Sequence, residues 1–151
     1  MTAPVKPYAL PETLPANLEQ VKAYWRSLLR GGAEMPFADD LSLEALPDLS
    51  ERLALVEVFV LPERFRFAYI GPKLSVEPST SLGGKFLDEV NPGFPLEFLR
   101  SQCSATVESA APTFYQQAAD KDHNASAYSR LIMPLWGDGH ISLLLVALDW
   151  R

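Results

Sequence analysis

Few side chains in this sequence have both the type and the setting for acid–base or metal chemistry. His123 lies in a polar stretch rich in aspartate and asparagine, and His140 follows a Gly-Asp-Gly turn sequence. Both settings are typical of solvated turns, where a histidine needs no ligand or substrate. Cys103 is the single cysteine, so it has no disulfide partner within the chain and no second thiol for a zinc site. We therefore predict no catalytic residue and no metal site.

Arg130 stands inside an apolar segment, where a guanidinium must find a partner or reach water. It can bind the carboxylate of a ligand through a two-pronged contact. Alternatively, it pairs with Glu57, Glu89 or another acid, or lies exposed on the outer face of a sheet. The structural alternatives are favoured, because a charged residue inside a protein is usually paired within that protein.

Composition and charge limit the kinds of partner that the chain can have. The chain has 151 residues, of which 48% are hydrophobic and 21% charged, and this predicts one folded domain. Its net charge of −6 argues against binding to nucleic acid or to anionic membranes. The N-terminus lacks the apolar core of a signal peptide, and the run LLLVAL is far shorter than the roughly 20 residues that span a bilayer. We therefore expect a cytoplasmic protein that binds neither nucleic acid nor membrane.

The first part of the chain divides into an arm and a helical extension. Prolines recur through residues 1–16 and predict an extended arm. Residues 17–52 form the extension, whose main helix is predicted from Leu18 to Arg30, with Asn17 as its cap. The apolar residues of this helix recur at helical spacing along one face. They are Leu18, Val21, Trp25, Leu28 and Leu29.

Residues 53–151 carry the pattern of a sheet interrupted by helices. Five segments have the β-branched or alternating composition of strands. A crossover with a helix starting at Pro95 separates the second strand from the third. This order predicts an α+β fold, a five-stranded antiparallel sheet with the crossover helices on one face. The predicted strands are 53–60, 64–70, 113–118, 127–135 and 141–150.

The last predicted strand is apolar on both of its faces. Strict alternation places Ile141, Leu143 and Leu145 on one face, and Leu144 and Val146 on the other. The crossover helices can cover one face. The amphipathic N-terminal helix is the natural cover for the other, either in its own chain or across a homodimer.

Several motifs, taken in order, resemble those of PAS domains, and in particular a bacterial family of single PAS-like domains with an N-terminal helical extension. These motifs are YWRSLLRGG with MPFADDL, a strand pair ending in FRFAYIG, then LGGKFLDEV and RLIMPLWGDGH. The resemblance implies a curved sheet whose inner face and crossover helices can enclose a small cavity. PAS domains that bind flavin carry a cysteine inside a motif of asparagine, arginine and phenylalanine, which is missing around Cys103, and those that bind haem need a histidine on the covering helix. Both cofactors are therefore disfavoured, and no cofactor is expected.

These observations favour a non-enzymatic sensory or protein-interaction domain that acts as a homodimer, binds a small molecule and signals to a separate protein. One alternative is a small NTF2-like α+β enzyme, which would need a buried acid or base with a shifted pKa. Another is a scaffold without a ligand, whose core is filled by its own aromatic residues. Strand parity and the resemblance together place seven residues around the expected ligand cavity. They are Phe67, Tyr69, Phe86, Leu99, Cys103, Tyr115 and Arg130.

Overall fold

The structure, a computed structural model, describes residues 8–74, 82–90, 93–119 and 127–150. Within these ranges the chain forms two α-helices, five strands and several short 3-10 turns. The helices are α1 (Ala16–Ser27) and α2 (Leu99–Ser109), and the strands are β1 (Leu53–Phe59), β2 (Arg64–Ile70), β3 (Thr113–Gln117), β4 (Tyr128–Gly137) and β5 (His140–Asp149). The strands form one antiparallel sheet in the order β2-β1-β5-β4-β3. The predicted α+β fold class is confirmed.

Helix α1 covers one face of this sheet, which we call the outer face. Leu18, Val21 and Trp25 are buried against apolar residues of β4 and β5. The indole Nε1 of Trp25 donates a hydrogen bond of 2.9 Å to the carbonyl oxygen of Pro134 in β4. The helix therefore covers the sheet of its own chain, and the outer face needs no second copy to cover it.

The ends of α1 differ from the prediction. The helix starts after Pro15, and Asn17 does not cap it: its side-chain amide instead donates to Asp149 at the end of β5, across 3.1 Å. The helix stops at Ser27, so Leu28 and Leu29 follow it in tight turns and are only half-buried. Amphipathic spacing identifies the buried face, but it does not fix the last turn.

Helix α2 and the short turn Leu87–Glu89 cover the opposite, inner face. The core on this side joins Leu99 and Cys103 of α2 to Phe67 of β2 and Ile132 of β4. The predicted start of the helix at Pro95 is wrong, because Phe98 has a left-handed backbone with φ of 59° and the helix begins only after it. A left-handed residue cannot belong to a right-handed helix.

Two irregularities change which side chains face the core. The β1–β2 register shifts so that Val56 pairs with Phe67 and Leu55 with Tyr69, which leaves Ala68 without a partner. A similar shift in the β4–β5 pair leaves Ser142 unpaired. Each extra residue is a β-bulge, which reverses the alternation beyond it.

These bulges correct two expectations based on strict alternation. Tyr69 lies on the outer face, opposite to Phe67, and its hydroxyl donates to the Ser50 carbonyl oxygen across 3.0 Å. Ile141 packs in the inner core together with Leu144, although alternation places the two residues on opposite faces.

The last hairpin confirms the turn that the sequence predicts, although β4 runs two residues beyond its expected end at Leu135. Asp138 and Gly139 connect β4 to β5 with φ of 52° and 81°. Positive φ at both central residues is the type I′ turn that suits a two-residue hairpin. The other expected hairpin turn, which contains His123, lies outside the described residues, as do the first seven residues of the arm.

No helix among the described residues is long and apolar enough to cross a bilayer.

Candidate functional site: a buried arginine on the inner face

Arg130 is the largest fully buried side chain on the inner face of the sheet, with 0% of its surface exposed. It follows Tyr128 and precedes Ile132 at alternate positions of β4, and both neighbours belong to the inner core. Its Nε donates to Oε1 of Gln102 on α2 across 2.7 Å. Its Nη1 donates to the carbonyl oxygen of Pro95, in the segment before α2, across 3.1 Å. The guanidinium thus joins the sheet to the segment that covers it.

No carboxylate among the described residues forms an ion pair with Arg130. Glu57 pairs with Arg66 at 3.0 Å, and Glu89 accepts a hydrogen bond from the backbone of Phe86 at 3.0 Å. The expected structural partners are therefore engaged elsewhere, and the alternative of exposure on the outer face is also wrong. Among the described residues, the positive charge of Arg130 is buried without a counter-ion.

Two polar atoms at this position lack hydrogen-bond partners among the described residues. They are Nη2 of Arg130 and the hydroxyl oxygen of Tyr128, both buried. The guanidinium lies close enough to Tyr128 to lower the pKa of the phenol, which burial raises. The two groups nevertheless do not form a hydrogen bond with good geometry. Buried polar groups are nearly always paired. The Tyr128 oxygen can accept a bond from Nη2 after a small movement, but its own hydroxyl proton and the second Nη2 proton then still need an acceptor.

Burial dominates the electrostatics of the groups around Arg130. It raises the pKa of the Tyr128 phenol to about 12 and that of the Cys103 thiol to about 12, while the nearby guanidinium partly opposes both shifts. Burial also lowers the pKa of Arg130 itself, because the charged form loses its hydration. The hydroxyl and the thiol are therefore neutral at pH 7, and Arg130 is the charged group among these three.

Aromatic rings surround the guanidinium. Its central carbon lies 5.1 Å from the ring centroid of Tyr115 and 5.8 Å from that of Tyr128. Phe94 packs edge-on against Tyr128 at 5.4 Å, and Phe98 packs against Tyr115 at 6.3 Å. These contacts are compatible with a cation, since the face of an aromatic ring carries negative charge, but they do not replace a carboxylate.

Tyr128 and Gln102 belong to this site, although neither is among the seven residues that the sequence places around the cavity, and no sequence argument singled out Gln102. Its Nε2 donates to Thr113 Oγ1 at 3.2 Å and to the carbonyl oxygen of Arg130 at 3.3 Å, while its Oε1 holds the guanidinium. A signal was present: Leu99, Gln102 and Thr106 have the spacing of one helical face, so two polar residues share the buried stripe of α2. Such residues need buried polar partners.

The structure gathers five of the seven predicted lining residues on the inner face. Phe67, Leu99 and Cys103 form a tightly packed core, with Tyr115 packed against it and Arg130 beside it. Tyr69 lies on the outer face, as described above. Phe86 also lies away from this group of residues. The central guanidinium carbon of Arg64 lies 3.7 Å from the centroid of its ring, and the ring of Phe59 packs against it with a centroid distance of 5.4 Å.

An open groove on the exposed side of α2 lies next to this site. Tyr8 and Phe98 line it, together with Ser101, Ser104 and two glutamates. The rings of Tyr8 and Phe98 pack against Tyr115, at centroid distances of 6.2 Å and 6.3 Å, and Tyr115 in turn contacts Arg130. A layer of aromatic side chains thus separates the groove from the buried guanidinium.

Among the described residues, the other titratable groups suggest no second site. His140 lies at the hairpin turn, with its ring nitrogens near the carbonyl oxygens of Asp138 and Val58 at 3.2 Å and 3.3 Å. Asp88 is paired with Arg64 at 2.9 Å. In the part of the chain that the structure describes, no group of three potential metal ligands occurs.

Comparison of the chain with protein-family models, with curated proteins and with solved structures gives no match.

Proposed function

We propose that this chain is a non-enzymatic PAS-like sensory domain, which binds a small molecule beside Arg130 and signals to a separate protein. The strand order and the position of α2, in the crossover between β2 and β3, support the resemblance to PAS domains. Helix α1 corresponds to the N-terminal extension that the resemblance implies.

The observation that carries the proposal is the buried guanidinium without a counter-ion among the described residues. An isolated charge in a protein interior is costly, because its hydration is lost. A protein that retains such a charge next to a free tyrosine hydroxyl has the means to bind a polar group of a ligand. The Tyr128 oxygen is the one acceptor between these two groups, so the remaining N–H and O–H donors are left for an acceptor that a ligand can supply.

The contacts of Arg130 also provide a route for a signal. The guanidinium holds Gln102 in α2 and the carbonyl oxygen of Pro95 before it. A ligand acceptor at the free Nη2 draws on the same guanidinium and competes with the Pro95 carbonyl oxygen, so its binding alters the position of the segment that leads into α2. The exposed side of α2 lines the groove, where a partner protein can detect the change.

The proposed role is not catalytic, because the two titratable side chains next to Arg130 do not fit the task of an acid or base at pH 7. The thiol of Cys103 and the phenol of Tyr128 have pKa values of about 12, far above the range of a base that works at pH 7.

A cytoplasmic homodimer remains part of the prediction, although the packing of α1 on its own sheet removes the reason that first suggested a second copy.

Native mass spectrometry of the freshly purified protein tests the proposal. We expect a small additional mass on the wild-type chain that is released on denaturation, and its loss in an Arg130→Gln variant. Tyr69→Phe is the matched control, because it removes a hydroxyl on the other face of the sheet. A bare polypeptide mass, together with no thermal stabilisation by a cell extract of small molecules, would contradict the proposal and favour the ligand-free scaffold.

A further inference from the structure

The site around Arg130 has the charge, the donors and the walls to select one class of ligand. The inference below rests on the proposed function, since it identifies the ligand of that same site.

The charge of the site matches a ligand with a single negative charge. Arg130 contributes one positive charge, and Tyr128 is a neutral donor next to it. A phosphate dianion or a dicarboxylate would therefore leave an unbalanced charge in a buried position.

The free donors match a carboxylate. Nε and Nη1 of Arg130 already have acceptors, whereas Nη2 and the Tyr128 hydroxyl have none among the described residues. Because both donors are buried and adjacent, the two oxygens of one carboxylate, or one oxygen shared between the donors, can satisfy them. A water molecule can also accept both bonds, but it brings no counter-charge.

The walls of the site favour an apolar body on that carboxylate. Two tyrosine rings, Tyr115 and Tyr128, lie next to the guanidinium; Phe98 packs against the first and Phe94 against the second. Trp150 packs edge-on against Phe94 at 5.8 Å. Rings of this kind stack with aromatic groups or cover aliphatic chains, and they offer few polar partners.

We infer that the ligand is a monocarboxylic acid with an aromatic or aliphatic body, whose carboxylate binds the free edge of Arg130 and the hydroxyl of Tyr128. Arg130 is fully buried, so the ligand reaches it from the groove by displacing the side chain of Phe98, which has 66% of its surface accessible, while Phe94, Tyr115 and Tyr128 remain as walls of the site. The bound carboxylate then competes with the Pro95 carbonyl oxygen for the guanidinium.

Calorimetry and thermal shift with defined probes test this inference on the full chain. The probes are benzoate, phenylacetate and hexanoate, with benzamide and phenylacetamide as neutral isosteres and succinate and inorganic phosphate as dianions. We expect the monocarboxylates to bind about 10-fold to 100-fold more tightly than the amides, the range expected when a charge-assisted hydrogen bond is lost. Succinate and phosphate bind no better than the amides.

Three variants keep the test independent of protein folding. Arg130→Gln removes the charge and abolishes the preference for acid over amide. Tyr128→Phe keeps the ring and the fold and weakens acid binding by about 2-fold to 10-fold, as expected for one neutral hydrogen bond. Tyr69→Phe leaves acid binding unchanged, since its hydroxyl lies on the outer face.

The remaining outcomes separate the ligand class from the proposed function. Equal binding of acids and amides, or tighter binding of succinate or phosphate, would overturn the monocarboxylate and leave a sensory domain with a different ligand. If no probe binds but native mass spectrometry shows a released mass, the monocarboxylate is also overturned and the sensory domain stands. If no probe binds and no mass is released, the site holds only water, and both the ligand class and the proposed function are wrong.

Discussion

Gln102 holds Arg130 with both ends of its side-chain amide. Its oxygen accepts a hydrogen bond of 2.7 Å from the guanidinium, and its nitrogen donates one of 3.3 Å to the Arg130 backbone carbonyl. Both residues have no exposed surface. This pair is the main polar link between α2 and the sheet, and it connects the candidate site to the rest of the fold.

Replacement of Gln102 by leucine should therefore be costly. Gln102→Leu leaves Nε of Arg130 without an acceptor inside the protein, and we expect the free energy of unfolding to fall by about 2 to 4 kcal/mol. Gln102→Glu leaves the Arg130 carbonyl oxygen without its donor but supplies the missing counter-charge, so it should cost less than leucine, and it should also abolish the binding of acids. Urea denaturation at pH 7 measures both effects. Gln20→Leu, on the exposed side of α1, is the control, and an equal effect of the two leucine variants would contradict the role given to Gln102.

Trp25 should be the residue that contributes most to the attachment of α1. Trp25→Ala removes a buried ring, and such replacements typically cost about 3 to 5 kcal/mol. Trp25→Phe keeps most of the apolar contact but leaves the Pro134 carbonyl oxygen without its donor, so we expect a loss of about 1 to 3 kcal/mol. Thermal and urea unfolding report both values. If Trp25→Ala unfolds like the wild type, α1 does not cover the outer face in solution.

Gly71, directly after β2, should not tolerate a side chain. A Cβ atom at this position would lie 2.3 Å from the backbone oxygen of Glu51 and 2.7 Å from that of Ser50. Gly71→Ala must therefore move the backbone, and we expect it to destabilise the protein by at least about 2 kcal/mol. Gly32→Ala is the matched control: nothing lies within 4 Å of its added Cβ, so its stability should be equal or slightly higher. Similar melting temperatures for the two variants would show that the contact between 50–52 and Gly71 is loose.

Cys103 should be unreactive in the folded protein and should make stability depend on pH at alkaline values. Its thiol has no exposed surface, so alkylation at pH 8 should proceed only as fast as the protein opens. Rapid labelling of the native protein would contradict the packing of α2 on the inner core.

The sign of the pH effect follows from the raised pKa of Cys103. The folded value of about 12 exceeds the ordinary value of 9.0, so the unfolded chain loses this proton first. The stability that the buried neutral thiol contributes is fully present below pH 9. It is lost as the pH rises towards 12, by up to about 1.4 kcal/mol per pH unit. Relative to Cys103→Ala, the wild type should therefore lose about 1.6 kcal/mol of stability between pH 9 and 10.5. Parallel stability curves for the two proteins would contradict the raised pKa.

The sequence by itself determined the features that depend on short-range pattern. The apolar spacing from Leu18 to Trp25 identified the helix that covers the sheet, and the two apolar faces of β5 required covers on both sides. The Asp138–Gly139 turn followed from the residues that accept positive φ. Local periodicity and turn chemistry carry this information because they depend on neighbours in the chain.

Only the tertiary structure decided the faces of Tyr69 and Ile141 and the surroundings of Arg130. One unpaired residue in a ladder reverses all later positions, and the bulges at Ala68 and Ser142 depend on how each strand pairs with its neighbour, which the residue pattern of one strand does not specify. The partners of Arg130 are likewise distant: Gln102 and Pro95 lie about thirty residues earlier in the chain. Periodicity shows that a residue is buried, but the partners of a buried charge depend on long-range packing, and here that packing places no carboxylate of the described residues beside the guanidinium.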